Sequence, residues 1–458
     1  MKTKKPNVLI FFTDQQRFDT TGVHGNPMRL TPNFDRMAVN GTHCFNSFTC
    51  QPVCVPARMS LQTGKYASTL EAYNNNGALE EDEKTLGHYF QEAGYTTAYI
   101  GKWHMARTKL EDKRVPKEFR KGYDSWLGMN SVETDSDAYS AWLCDNDGNR
   151  VELPGYRSDG YADAVIRYLA EKKDKPFFLM SSCLEPHFQN TRDDYPAPEG
   201  SEEKYASECW TPPDLQALGG TSARHLPGYY GMVKRLDECL GRIRDALRST
   251  GQLENTIILF TTDHGCHFKT RNSEYKRSPH DSSIRIPMAL CGPGFDGGGR
   301  IQEMISLVDV APTLLDACGI RIPESMQGRS FMPLICRDSK VKEEWPGEIL
   351  AEYCDGLTLG RVVRTHRWTY AIERKGDSGE NLKGDWVFHE AFLYDNKADP
   401  WQQSNEISHE GYIEVKNVMR KRLKNRMAQV GEPEPVIIEA ELKRSRGQRS
   451  ISEADTLR

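Results

Sequence analysis

The chain has no apolar run approaching the ~18 residues that a membrane-spanning helix requires, and its mean hydropathy of −0.66 agrees. It carries no large charge of one sign: 60 Lys and Arg face 65 Asp and Glu, a net of −5. That balance excludes a globally basic nucleic-acid binder and an acidic disordered chain. There is no pair of Cys-x-x-Cys units to suggest zinc, and no internal repeat. A soluble globular protein is expected, with neither nucleic acid nor membrane as a partner. At about 150 residues per domain, 458 residues make three domains or one large domain with an appendage.

The amino terminus begins Met1-Lys-Thr-Lys-Lys-Pro and runs into the apolar Asn7–Thr13. This run is too short for a signal peptide and leads into Asp14-Gln15-Gln16-Arg17 rather than a small-residue cleavage site. It reads as a buried strand, and the protein as cytoplasmic. In a reducing cytosol most of the 12 cysteines are free thiols.

Further strand-length apolar runs are Thr97–Ile100, Pro176–Ser181, Thr256–Thr261 and Pro287–Cys291, with amphipathic helices expected at Gly160–Lys172, Tyr229–Ser249 and Leu307–Cys318. The alternation predicts an α/β fold with a large, mostly parallel central sheet flanked by helices. Ligand sites in such sheets lie at the carboxyl ends of strands. Asp14, Lys102 and Asp263 each follow one of these runs.

Beyond about residue 345 the texture changes. Gly360–Ile372 and Trp386–Tyr394 look like antiparallel strands around a charged turn, Glu373–Lys383, followed by a basic helix, Ile413–Gln429. The basic face of that helix reads as solvated. The expected division is 1–345 catalytic, 346–430 a smaller antiparallel sheet with a helix, and 431–458 a polar tail that wraps the domain, joins an oligomer contact or is disordered.

The most informative stretch is Cys50-Gln-Pro-Val-Cys54-Val-Pro56-Ala-Arg58, followed by an apolar helical turn and the stop Thr63-Gly64. Arg58 lies one helical turn from Cys54, so both can project from one helix start. The free N–H groups of that start suit an anion. The plainer alternative is a loop cysteine before a helix-starting proline, with Arg58 an ordinary surface cation.

The stretch resembles the signature of the formylglycine-dependent sulfatases of the alkaline phosphatase superfamily. The resemblance implies an alkaline-phosphatase-like fold and oxidation of Cys54 to formylglycine by a sulfatase-maturing, formylglycine-generating enzyme. A hydroxyl of the hydrated aldehyde would attack sulfur, and the remaining hydroxyl would then expel sulfate by breaking a C–O bond, splitting one hard step into two easier ones. Further blocks resemble the same family. Asn7–Thr13 with Asp14-Gln15 is similar to its first strand and metal carboxylates, with an amide where many members have a second aspartate. Gly101-Lys102-Trp-His104 is similar to its Gly-Lys-Trp-His block, which implies Lys102 as a sulfate binder and His104 as the base for collapse. Glu185-Pro-His187 resembles the segment whose histidine contacts sulfate, and Thr261-Thr-Asp263-His264-Gly265 the second metal block.

Lys276, nine residues before Arg285 in Lys276-Arg-Ser-Pro-His280-Asp281-Ser-Ser-Ile-Arg285-Ile-Pro287, falls where the family places its second sulfate-binding lysine, a proton donor to the leaving group. Lys269 and Arg277 compete for that register, and His280 stands where a tyrosine is usual, a change expected to alter substrate contacts. Thr31–Ala38, Ser306–Leu315 and Leu393–Pro400 resemble structural segments of the family.

The expected catalytic set is therefore Cys54, Arg58, Lys102, His104, His187 and Lys276. The expected metal set is Asp14, Gln15, residue 54, Asp263 and His264. Hard oxygen donors suit Ca²⁺ or Mg²⁺, His264 adds a nitrogen that also suits Mn²⁺, and the resemblance favours Ca²⁺. The expected reaction is hydrolysis of a sulfate ester, with a sulfated carbohydrate as substrate and choline or aryl sulfates as alternatives. The polar loop Tyr73–Gly77 and Gln189, Asn190, Arg271 and Asn272 are candidate sugar contacts, or simply loop residues. Three other readings stay open: a phosphonate monoester or phosphodiester hydrolase on the same scaffold, an inactive protein that binds sulfated glycans, and an enzyme that uses Cys54 as a thiol.

Overall fold

A computed structural model describes residues 5–106, 113–171, 174–356, 358–375 and 386–443. Strands β1 (Asn7–Thr13), β2 (Thr42–Phe48), β3 (Thr96–Lys102), β4 (Ser125–Met129), β5 (Ala141–Cys144), β6 (Arg150–Leu153), β7 (Phe177–Ser182), β8 (Thr256–Thr262), β9 (Ala289–Cys291) and β10 (Gly299–Ser306) form one sheet. Its order is β10-β2-β9-β8-β1-β7-β3-β4-β5-β6. From β8 to β4 every neighbouring pair is parallel. The expected run Pro287–Cys291 becomes the three-residue β9, and it lies antiparallel to β2 and β8.

β1 shows why the centre of this sheet needs cover on both sides. Val8, Ile10 and Phe12 enter one core while Leu9 and Phe11 enter another, because successive side chains alternate faces. Each such burial contributes roughly 1.5–3 kcal/mol. Helices Pro32–Asn40 (α1), Arg157–Ala170 and Ser222–Ser249 supply apolar residues to the second of these cores. Ser222–Ser249 starts seven residues before the sequence suggested. Pro227 lies inside it, and a 28-residue helix absorbs the one hydrogen bond that proline cannot donate. Lys172, the expected end of the Gly160 helix, lies outside the described residues.

The second sheet comprises β11 (Glu348–Cys354), β12 (Thr358–Thr365), β13 (Trp368–Lys375), β14 (Val387–Asp395) and β15 (Val436–Ile438), in that order. Gly360–Ile372, expected as one strand, is broken into β12 and β13. Part of the expected charged turn, 376–383, lies outside the described residues. One face of this sheet packs on the helix Ile413–Gln429 through Val415, Met419, Leu423 and Met427, spaced at one turn. The other face meets Phe48, Ile284 and Met304 of the main body.

The basic helix is less solvated than its sequence suggested. Lys416 is buried against Glu390, Arg420 pairs with Glu390 and Glu439, and Arg422 pairs with Glu348. The described part of the tail, to residue 443, packs on the second sheet: Glu432 pairs with Arg361, and β15 adds to β14. Residues 444–458 lie outside the described residues.

Candidate active site

Four adjacent parallel strands deliver side chains to one end of the sheet. β8 leads into Asp263 and His264, β1 into Asp14 and Gln15, β7 into the segment with His187, and β3 ends on Lys102, two residues before His104. Across these strand ends lies α2 (Cys54–Thr63), every residue of which is buried. Cys54 opens the helix, and Pro56 sits in the first turn, where a missing N–H costs nothing. Gly64 stops it at φ 67°, a left-handed conformation that suits glycine. Gly101 shows how tightly β3 is held: a Cβ there would lie 2.0 Å from the Ser182 carbonyl oxygen.

All ten residues expected from sequence converge here. Lys276 Nζ lies 2.8 Å from Cys54 Sγ, 3.1 Å from His264 Nε2 and 3.3 Å from His187 Nε2. Lys276 is thus the lysine of this stretch that reaches the centre, while Lys269 pairs with Asp193. Lys102 Nζ donates to Asp14 Oδ2 at 2.8 Å. Arg58 donates to Asp14 Oδ2 at 2.9 Å and to Ser182 Oγ at 2.7 Å, and lies 3.4 Å from Asp263 Oδ2. Three cations thus gather beside Cys54, a residue 1% exposed, with Lys276 in contact with its sulfur.

Backbone carbonyls fix the two histidines. His264 Nδ1 contacts the Gly265 carbonyl at 2.9 Å and His187 Nδ1 the Phe188 carbonyl at 2.7 Å. A carbonyl accepts, so each Nδ1 donates its N–H and each Nε2 is turned to the pocket. Gln15 (φ 65°) and His104 (φ 59°) adopt left-handed backbone, uncommon for such residues and concentrated at functional sites.

The charges shape one another. Burial alone would raise the Cys54 thiol, but Lys102, Lys276 and His264 hold it well below the usual range. Burial and Cys54 push Asp14 up, while Lys102, His187 and Arg58 bring it to about 2. Asp263 is raised by burial and by Asp14 beside it. The two carboxylates crowd one another, and with Lys102 and Arg58 both drawn to Asp14 it is Asp263 that stays raised, which is the condition a further cation relieves.

A metal fits this group. Ligand atoms of Asp14, Cys54, Asp263 and His264 all lie within 4.8 Å of one another. Asp263 Oδ2 and Gln15 Oε1 are buried without a hydrogen-bond partner, although such atoms are normally satisfied. Gln15 Nε2 donates to Tyr195 Oη at 2.9 Å, which fixes the amide with its oxygen free. The donors are mostly hard oxygens.

Several sequence candidates do other work. His280 bonds Ser278 and Tyr394 of the second sheet, so its substitution for tyrosine serves packing between the sheets. Gln189 donates to the carbonyls of Glu133 and Ser136, Arg271 to those of Trp401 and Gln402, and Asn272 to those of Lys276 and Arg277. These are loop staples. Asn75 accepts from Val55 N–H and Gln51 donates to the Tyr73 carbonyl, so the 73–77 loop braces the start of α2.

Two residues escaped the sequence reading. Ser182, which receives Arg58, ends β7 and could have been found by the strand-end rule. Glu133, 3.2 Å from Lys102, had no such signal, being one acid among Glu133, Asp135 and Asp137.

Comparison with known proteins agrees with this geometry. Residues 6–320 match the family model described as sulfatase, and residues 274–429 match the C-terminal model of N-sulphoglucosamine sulphohydrolase. An ulvan-active sulfatase of Formosa agariphila is 30% identical over 440 residues, covering 93% of this chain and 82% of the relative. An N-acetylglucosamine-6-O-sulfatase of Bacteroides thetaiotaomicron is 24% identical, covering 95% and 88%. Among solved structures, the sulfatase yidJ of Bacteroides fragilis superposes with a TM-score of 0.81 at 24% identity, covering 94% of this chain and 97% of that one.

Proposed function

This chain belongs to the sulfatase family, within the alkaline phosphatase-like superfamily, and hydrolyses sulfate esters; from that premise we propose that its nucleophile is a formylglycine made from Cys54 and its substrate a sulfated carbohydrate. The observation that carries the nucleophile is the placement of Cys54 at a buried helix start, within reach of Lys276, His264 and Asp14. The carbohydrate rests on the ulvan-active and N-acetylglucosamine-6-O-sulfatase relatives. A sulfatase-maturing enzyme is then the partner of the newly made chain. A cytoplasmic home fits cysteines that are all outside disulfides.

The residues divide the work as follows. Arg58, Lys102 and Lys276 offset the negative charge of the sulfate and the charge that develops during transfer. Ca²⁺, with Mg²⁺ or Mn²⁺ as alternatives, held by Asp14, Gln15, residue 54, Asp263 and His264, would add Lewis-acid polarisation of a sulfate oxygen. Lys276 stands beside His187 and gives a proton to the departing alcohol. His104, on the Lys102 side of residue 54, takes the proton whose loss frees sulfate.

The test is the mass of the alkylated tryptic peptide Met37–Arg58 from the native host. Formylglycine lowers the mass of residue 54 by about 18 Da and leaves only Cys44 and Cys50 alkylated. Three alkylated cysteines in fully active material would end the formylglycine reading.

A further inference from the structure

Glu133 is buried beside the reacting centre although it belongs to none of the blocks that build it. Its Oε1 lies 3.2 Å from Lys102 Nζ and 3.7 Å from His104 Nε2. Its Oε2 accepts the Val132 N–H at 3.0 Å, which orients the carboxylate. The segment is anchored in turn, because Gln189 donates to the Glu133 carbonyl at 2.7 Å and Arg157 reaches Gln189 Oε1 at 3.4 Å.

A carboxylate is a costly neighbour for an anion site. A fixed negative charge several ångströms from a bound sulfate weakens its binding by about tenfold or more. Two features account for its presence. Lys102 is held between two carboxylates, Asp14 and Glu133, so its ammonium is fixed at the face of residue 54. His104 Nδ1 has no hydrogen-bond partner, which leaves its Nε2 side, 3.7 Å from Glu133, as the side from which a charge can draw the ring. Around the pocket the cations Arg58, Lys102 and Lys276 then stand against the carboxylates Asp14, Asp263 and Glu133. Removing Glu133 tips that balance by one positive charge.

We propose that Glu133 is a positioning residue that aims Lys102 and His104 at residue 54, and that its charge also keeps the pocket from retaining the sulfate product. The inference rests on the sulfatase reading above. It is tested with matured Glu133→Gln and Glu133→Asp enzymes, measuring kcat and KM on 4-nitrophenyl sulfate and the affinity for inorganic sulfate by calorimetry. Glu133→Gln is expected to lower kcat about tenfold or more and to bind sulfate at least about fivefold tighter, with metal content unchanged. Glu133→Asp keeps the charge but shortens the arm, so kcat falls while sulfate affinity stays within about twofold of wild type.

Sulfate affinity that is unchanged or weaker in Glu133→Gln overturns the proposal, since loss of packing alone would not tighten an anion. Should that variant fail to fold, a Glu133→Asp enzyme with wild-type kcat overturns it instead. A wild type that binds sulfate but turns over no sulfate ester would count against the sulfatase reading, while the calorimetric comparison, which does not need turnover, still decides the role of the Glu133 charge.

Discussion

Replacing Arg58 with methionine tests the idea that one buried guanidinium and one metal ion share a single electrostatic role. Arg58 is fully buried, 2.9 Å from Asp14 and 3.4 Å from Asp263, and its guanidinium lies over the Phe12 ring at 5.1 Å. Methionine keeps the apolar stem and removes the charge and both hydrogen-bonding arms. Breaking a buried pair by removing one partner costs about 3–5 kcal/mol, because the remaining charge stays desolvated. Unfolding entropy near the midpoint is about 2.1 cal/mol/K per residue, so this 458-residue chain has about 1 kcal/mol/K. The expected fall in Tm is therefore about 3–5 °C. It should be larger in chelator-treated protein, where no cation stands in for the arginine, and smaller with excess Ca²⁺. Turnover of 4-nitrophenyl sulfate should drop by about 10²–10³. Calorimetric scans with and without chelator decide the matter. An unchanged Tm, or a larger loss with the metal present, would refute the shared-charge argument.

Other outcomes are equally specific. Asp263→Ala should lose its divalent metal, measured by elemental analysis of the purified protein, and full metal occupancy would remove Asp263 from the ligand set. Burial raises Glu352 to about 7, with Arg361 lowering it and Glu432 raising it. Because the folded value lies above the unfolded one, the stabilisation is present in full below about pH 4.3 and is lost as pH rises through 7. Wild-type stability should therefore fall between pH 5 and 8 by more than that of Glu352→Gln, by at most about 3 kcal/mol, which Tm scans at each pH would show; parallel pH curves would contradict it. Matched aryl sulfate, phosphodiester and phosphonate esters should be turned over with the sulfate fastest, and a faster phosphonate would favour the alternative hydrolase.

Much of the site was legible because the chemistry-bearing residues travel in short local blocks. Asp14, Lys102 and Asp263 each follow a strand that reads as apolar throughout, and Arg58 is tied to Cys54 by a single helical turn. What depended on distant partners was not legible. Glu133 acquires meaning only when β3 and β4 pair side by side. In the fold, the central strands stood out, but β2, Thr-His-Cys-Phe-Asn-Ser-Phe, and β10 mix polar residues with apolar ones. They pair with each other toward one end of the first sheet, where tertiary context overrides local pattern. Arg271 and Asn272 read as candidate sugar contacts or plain loop residues; the two Nη groups of Arg271 and the amide of Asn272 in fact go to backbone carbonyls, which sequence alone does not reveal.

The second sheet is joined to the reacting centre by two buried struts. Glu352 accepts from the Ser68 N–H at 2.9 Å and donates its own N–H to the Cys50 carbonyl at 2.8 Å, gripping both flanks of α2. Arg364 makes a two-pronged bond to Asp281, five residues after Lys276. The nucleophile and the proton donor are thus each moored to a sheet that supplies none of the ten residues around them. The carboxyl-terminal portion is consequently not an interchangeable module. A graft between relatives would have to carry an acceptor matched to Ser68 and a donor matched to Asp281, or the ten residues would remain in the sequence without being held in register.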